Sequence, residues 1–282
     1  MPATWERRRI LIWGKTRPEL SQKYREVVCT GGVFADTKRL VRLYPIPLRY
    51  MDDERWFRKY QWIQAYVTRA ESDPRPESYK IRADSIEIGE FISTERGGNW
   101  DKRAAWIMQP QNVFPSVEAL QEKQRLDNTS LGIIRPRTIV RVYAEPFGRA
   151  ERESFWQRYQ QVVAQMELPL DPETQRPVKP LSPPDYRFKV VFRCDDQHCR
   201  HDHDFSILDW EVDALYARLR NQGLSERDAA QGVVNKLRYD ICGPDKDLHF
   251  FLGNIATHPH VFTVVGLWSP KKKQGGQLTL FN

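Results

Sequence analysis

The sequence predicts an α+β fold: a β-rich N-terminal domain, for which a small barrel is one suitable form, and a smaller α/β C-terminal domain clipped by a Cys/His metal site. Three observations lead there. Strand-length apolar runs separated by turn residues dominate the first 148 residues or so. Six of the nineteen prolines fall between 167 and 185, where fixed φ angles and missing donors favour an extended connector. All six histidines and three of the four cysteines then lie between Cys194 and His260. The expected units are 1–166, a connector at 167–185, 186–268, and a tail at 269–282.

Residues 9–13 form a short apolar strand. Residues 26–34 and 39–48, separated by Ala35-Asp36-Thr37-Lys38, read as a hairpin. Leu40, Arg42 and Tyr44 alternate with Val41 and Leu43 at the period of a strand, and Pro45 and Pro47 end the run or place it at an edge. Thr30-Gly31-Gly32 fits a bulge or a close backbone approach. Further strands are expected at 62–68, 84–93 and 133–143, the last interrupted by Pro136. Helices are expected at 53–60 and at 116–125, where Ser116 is a suitable N-cap. Residues 151–166 read as a helix with Phe155, Tyr159, Val162, Val163 and Met166 on one face. Past the connector come a strand at 186–193, helices at 208–219 and 225–238, and strands at 249–252 and 261–267. Ser225 and Asp228 make a capping-box-like pair for the second helix.

The chain has 282 residues, 40% of them hydrophobic, which is enough to bury a core and excludes a disordered chain. Its net charge of +7 attracts polyanions. No run of about 18 apolar residues predicts a membrane span, and the N-terminus lacks an export-type apolar region. A cytoplasmic, nucleoid-associated location follows as an expectation, with cysteines reduced.

The segment Cys194-Asp195-Asp196-Gln197-His198-Cys199-Arg200-His201-Asp202-His203-Asp204 concentrates thiol and imidazole groups, the ligands that zinc favours. Cys194 and Cys199 are the expected first ligands, His201 or His203 the third, and Cys242, ahead of Gly243-Pro244, the fourth. An iron–sulfur cluster on Cys194, Cys199, Cys242 and Cys29 is an alternative. So is the reading that the cysteines are small core residues and the histidines solvated.

Asp202, Asp204, Asp209 and Glu211 adjoin this segment. Carboxylates gathered around Mg²⁺ or Mn²⁺ would serve a nuclease. Asp209 and Glu211 equally suit a helix start, where the dipole favours negative charge. No phosphate-binding loop, nucleophile elbow or dinucleotide fingerprint occurs. Six of the nine tryptophans lie in the first 110 residues, interleaved with arginine, as a surface that stacks on bases or as core. Lys38, Arg39, Arg42 and Arg49 are the expected nucleic-acid contacts of the first domain, joined by Lys271, Lys272 and Lys273.

Near the end of the chain stands Gln277-Leu278-Thr279-Leu280-Phe281, after a Gly-Gly hinge. This peptide resembles the motif with which bacterial proteins dock on the sliding clamp, matching at four of five positions. The resemblance implies a clamp partner held through Gln277, Leu278, Leu280 and Phe281, on a tether that raises effective concentration. A last strand folding back into the domain is the other reading. Together these features suggest a DNA-associated accessory protein of bacterial repair, replication, mobile-element or defence systems, recruited through the clamp. The alternatives are a metal-dependent nuclease and a zinc-containing protein–protein adaptor.

Overall fold

In the computed structural model, which describes residues 4–94, 98–165, 180–197, 199 and 201–272, strand β1 (Glu6–Lys15) explains the N-terminal architecture. Its Ile10, Leu11, Ile12 and Trp13 are all at most 2% exposed. A strand buried on both faces needs no polar alternation. Ile10 and Ile12 point into a core with Val28, Val41, Leu43 and Ile63. Leu11 and Trp13 point the opposite way, into a second core with Ile133, Phe251 and Trp268 from the C-terminal half.

The first core is the inside of a barrel. β1, β3 (Arg25–Phe34), β4 (Leu40–Ile46), β6 (Ser78–Ile81) and β5 (Gln61–Arg69) pair in that order, and β5 returns to β1. All neighbours are antiparallel except β4 and β6. β2 (Glu19–Ser21) adds to β3, and β7 (Glu87–Phe91) adds to β5. The expected hairpin is β3–β4. Gly31 is required by the close approach of Trp13: a Cβ there would stand 2.2 Å from the indole ring.

The C-terminal half carries two sheets. β8 (Val113–Phe114), β9 (Leu131–Ile134), β13 (His249–Ile255) and β14 (His258–Trp268) form one. β10 (Pro136–Pro146), β11 (Tyr186–Cys194) and β12 (His203–Ser206) form the other. Among the helices are α1 (Asp101–Ile107), α2 (Val117–Asp127), α3 (Arg149–Gln165), α4 (Trp210–Asn221) and α5 (Glu226–Asn235); α5 runs on into a π-helical turn, Lys236–Ile241. Val117, Leu120, Phe192, Val233, Phe250 and Val264 share one core. No described helix is long and apolar enough to cross a membrane.

The fold is α+β as expected, but the packing divides the chain elsewhere. Residues 113–146 share sheets and core with 186–268: β9 pairs with β13, and β10 with β11 across the proline-rich connector. The unit expected at 1–166 is therefore not a packing unit. Local composition signals where a chain is extended; it does not signal which strands pair across the gap. The expected helix at 53–60 is only a short turn, Asp53–Arg55, with Phe57 and Tyr60 buried and Trp56 exposed. The expected strand at 133–143 is two strands, parted beside Pro136.

Candidate functional site

Four side chains from separate elements meet at the start of α2. Cys194 ends β11 and is 2% exposed. Cys199 lies in the turn that follows, and His203 opens β12. Ser116 caps α2, its Oγ accepting from the Ala119 amide at 3.2 Å, which sets Glu118 in the first turn. The donor atoms of Glu118, Cys194, Cys199 and His203 all lie within 4.8 Å of one another. Cys199 Sγ is 3.5 Å from His203 Nε2, and that nitrogen is 3.5 Å from Glu118 Oε1. Bonds of about 2.0–2.3 Å to a tetrahedral ion imply donor–donor edges of roughly 3.3–3.8 Å. The group could hold a metal ion, and its donor chemistry fits one.

The surrounding backbone supports this arrangement. The Val117 amide, at the positive end of α2, donates to Cys194 Sγ at 3.3 Å. The Cys194 amide donates to Cys199 Sγ at 3.1 Å. Burial pushes the Cys194 thiol up to about 12; a bound dication reverses that by stabilising the thiolate. Burial lowers the His203 pKa despite Glu118, favouring the neutral imidazole that ligates.

Three of the sequence-predicted ligands thus come together: Cys194, Cys199 and His203. Cys242 does not join them; it packs at the edge of the C-terminal core, where burial pushes its thiol up to about 12. The His201 ring also lies outside the group, and only its carbonyl accepts from Cys199 Sγ, at 3.7 Å. Cys29 belongs to the barrel strand β3, so the four-cysteine set for an iron–sulfur cluster is not assembled among the described residues. Glu118 is the member of the group that sequence reasoning missed. It stands 76 positions before Cys194 in the chain, and its one visible signal was its place after an N-cap, where acidic residues are common.

The four proposed catalytic carboxylates do not converge. Asp202 pairs with Arg193 at 2.5 Å. Asp204 accepts from Tyr143 Oη at 2.7 Å and from Lys189 at 3.3 Å. Asp209 is 1% exposed and caps α4, accepting from the Glu211 amide at 3.1 Å, the Leu267 amide at 3.2 Å and Lys59 Nζ at 2.8 Å. Glu211 shares Lys59 at 3.2 Å. Burial works against the Lys59 charge, but Asp209, Tyr60 and Glu211 outweigh it and hold the ammonium above its usual value. The first-turn reading of Asp209 describes its place, and each carboxylate has a cation where a catalytic metal would need to sit.

A cleft of about 610 Å³ lies between the outer face of the barrel and the β13–β14 hairpin. Lys15, Arg42, Arg75 and Lys80 line it, against Glu19 and Asp73. Arg42 is 5% exposed. It was expected at the surface because it alternates with Val41 and Leu43. The alternation holds, but the outer face of β4 is itself covered by the C-terminal half. Its guanidinium donates to Ser130 Oγ at 2.8 Å, Ser78 Oγ at 3.3 Å, Asn254 O at 3.2 Å and Ser130 O at 3.4 Å. All four acceptors are uncharged, and no carboxylate pairs with Arg42 among the described residues. Burial pulls its pKa below the usual value and Arg75 adds like charge, against the opposing pull of Cys29, Glu77 and Asp73. Arg75 is paired bidentately with Asp73, at 2.6 and 2.8 Å.

The other expected nucleic-acid contacts are mixed. Arg39 is exposed. Lys38 reaches over Trp106 at 5.0 Å and donates to Ala105 O. Arg49 pairs with the buried Glu26 at 2.9 Å, a correction to its surface role. The N-terminal tryptophans are mainly core: Trp13 and Trp62 are each 2% exposed. Lys271 and Lys272 line a second hollow beside Trp268. Lys273 and the tail residues Gln277, Leu278, Leu280 and Phe281 lie outside the described residues.

Two family models match the chain, and they divide it where the packing does. One, described as a domain of unknown function (DUF8758), matches residues 6–109. The other, described as a domain of unknown function (DUF8757), matches residues 113–282. No curated protein matches the chain.

Proposed function

Starting from a chain that belongs to the DUF8757 family, whose function is unknown, we propose that it is a DNA-associated accessory protein, braced by a structural zinc ion and recruited to its sites through the sliding clamp. The observation that carries the reading is the cation excess of the cleft, where Lys15, Arg42, Arg75 and Lys80 stand against Glu19 and Asp73. An excess of cations gathered in one concave site attracts an anionic ligand. The overall charge of +7 gives the same preference at long range.

Zinc is the ion favoured by two thiolates, an imidazole and a carboxylate with no open redox chemistry required. It would be held by Cys194, Cys199, His203 and Glu118, tying β11 and β12 to α2. Clamp recruitment rests on the peptide 277–281.

The test is DNA affinity against salt. Lys80→Gln and Arg75→Gln should each weaken binding to all sequences alike and flatten the logarithmic salt slope by about one. Removal of 277–282 should abolish association with a bacterial clamp while DNA affinity holds. An unchanged slope in both cleft variants would separate the cleft from DNA.

A further inference from the structure

The chemistry of the cleft narrows the ligand beyond an anion. Asn254 lines it at 5% exposure, and its Oδ1 is a buried acceptor with no hydrogen-bond donor among the described residues. The Nδ2 end of the same amide is fixed, donating to Pro259 O at 2.6 Å. Asn254 Oδ1 has no access from the cleft, so the polar face this residue gives the site is its backbone carbonyl, which accepts from Arg42 at 3.2 Å and from Arg75 at 2.8 Å. Tyr44, 44% exposed, offers an aromatic face on the same wall. Lys15, Arg42, Arg75 and Lys80 supply the counter-charge for an anion, with Lys80 exposed at the cleft and Arg42 buried beneath it. A volume of about 610 Å³ lies within the range of roughly 300–1,000 Å³ found for small-molecule sites. It is too small to enclose a duplex, which would reach only the cations at its mouth.

An aromatic face beside an excess of cations in one cavity matches a planar heterocycle joined to a phosphate. We propose that the cleft takes a single nucleotide, either an unpaired residue of a DNA strand or a free 5′-monophosphate. The inference rests on the reading that the chain associates with DNA only for the first of these sources. Tyr44 stacks on the base and Lys80 meets the phosphate.

The experiment has two arms, both with the full chain. In the first, calorimetric titration with the four deoxynucleoside 5′-monophosphates is compared with the nucleosides and with inorganic phosphate. Binding of at least one monophosphate, about ten-fold or more tighter than its nucleoside and than phosphate alone, is expected. Tyr44→Ala and Lys80→Gln, both at exposed positions, should each weaken it about ten-fold at an unchanged melting temperature. In the second arm a duplex with one unpaired nucleotide is compared with the fully paired duplex. Tighter binding of the first, lost in Tyr44→Ala, supports capture from a strand. Monophosphate binding without any DNA binding at low salt supports the cleft assignment and removes the DNA reading. DNA binding with neither monophosphate binding nor preference for the unpaired nucleotide overturns the inference and leaves the DNA reading standing.

Discussion

Asp209 binds the two halves of the molecule at one carboxylate. It caps α4, accepts from β14 at Leu267 and neutralises Lys59, which follows the barrel's short 53–55 turn. Removing one member of a buried pair costs about 3–5 kcal/mol, because the other charge stays buried. Asp209→Ala should therefore lose about that much stability in chemical denaturation, and Lys59→Met with Asp209→Leu should recover only the part due to the unpaired charge, since the α4 cap and the Leu267 amide still lack their acceptor. A loss under about 1 kcal/mol in the single variant would refute this role. Lys15, close by, titrates in the opposite sense. Burial first, and then Lys59, lower it to about 8, against Glu211 and Asp209. The unfolded chain keeps that proton up to the ordinary 10.5, so between these values the unfolded state binds more protons and stability rises with pH. Measured against Lys15→Met, the wild type should gain about 2 kcal/mol from about pH 7 to about pH 10; a difference that stays flat rules this out. The charge of each residue was legible in the sequence, but its partner was not: Lys59 and Asp209 are 150 positions apart.

Short-range signals were read well at the level of elements. Ser116 and Ser225 cap their helices as expected, with oxygen-to-amide distances of 3.2 and 3.1 Å. The Cys/His segment was recognised because thiols and imidazoles crowded into one turn have few other uses. Its fourth member was not, because α2 reaches the turn only through the tertiary fold. Cys242 looked suitable from its turn-forming neighbours, yet the end of the π-helical turn carries it away from the group. This yields a test that separates the two ligand sets. Cys199→Ser, His203→Ala and Glu118→Ala should each lower zinc affinity at least ten-fold, read by elemental analysis after dialysis against a chelator, while Cys242→Ser keeps one ion per chain. Chelation of the wild type should lower the melting temperature, since metal-binding energy in such a clip is folding energy. Loss of the ion in Cys242→Ser with retention in Glu118→Ala would reverse the assignment.

Across the whole molecule, the barrel and the C-terminal sheets share a core instead of meeting at a polar surface. Leu11, Trp13, Trp62, Ile107, Ile133, Phe251 and Trp268 are each at most 2% exposed within it. The stretch 10–13 signals its burial by its continuous apolar run; that its two faces enter different cores followed from nothing local. Gly31 and Gly32 gave a partial clue, since paired glycines in a strand mark close approach. Fragments 1–110 and 113–282, expressed apart, should each expose this apolar face and bind a hydrophobic dye, and mixing them should restore the soluble state. Two well-folded, dye-silent fragments would show that the shared core is dispensable.

The pairing of rings across that core has an optical consequence. Trp13 lies parallel to Phe251 with centroids 4.3 Å apart, and Trp100 stands edge-on to Trp268 at 4.8 Å. Each couple draws one ring from either half, so the near-ultraviolet circular dichroism of the chain depends on the halves staying closed. The molecule carries its own gauge of that closure, readable without a label while a metal, a strand of DNA or a single nucleotide is added.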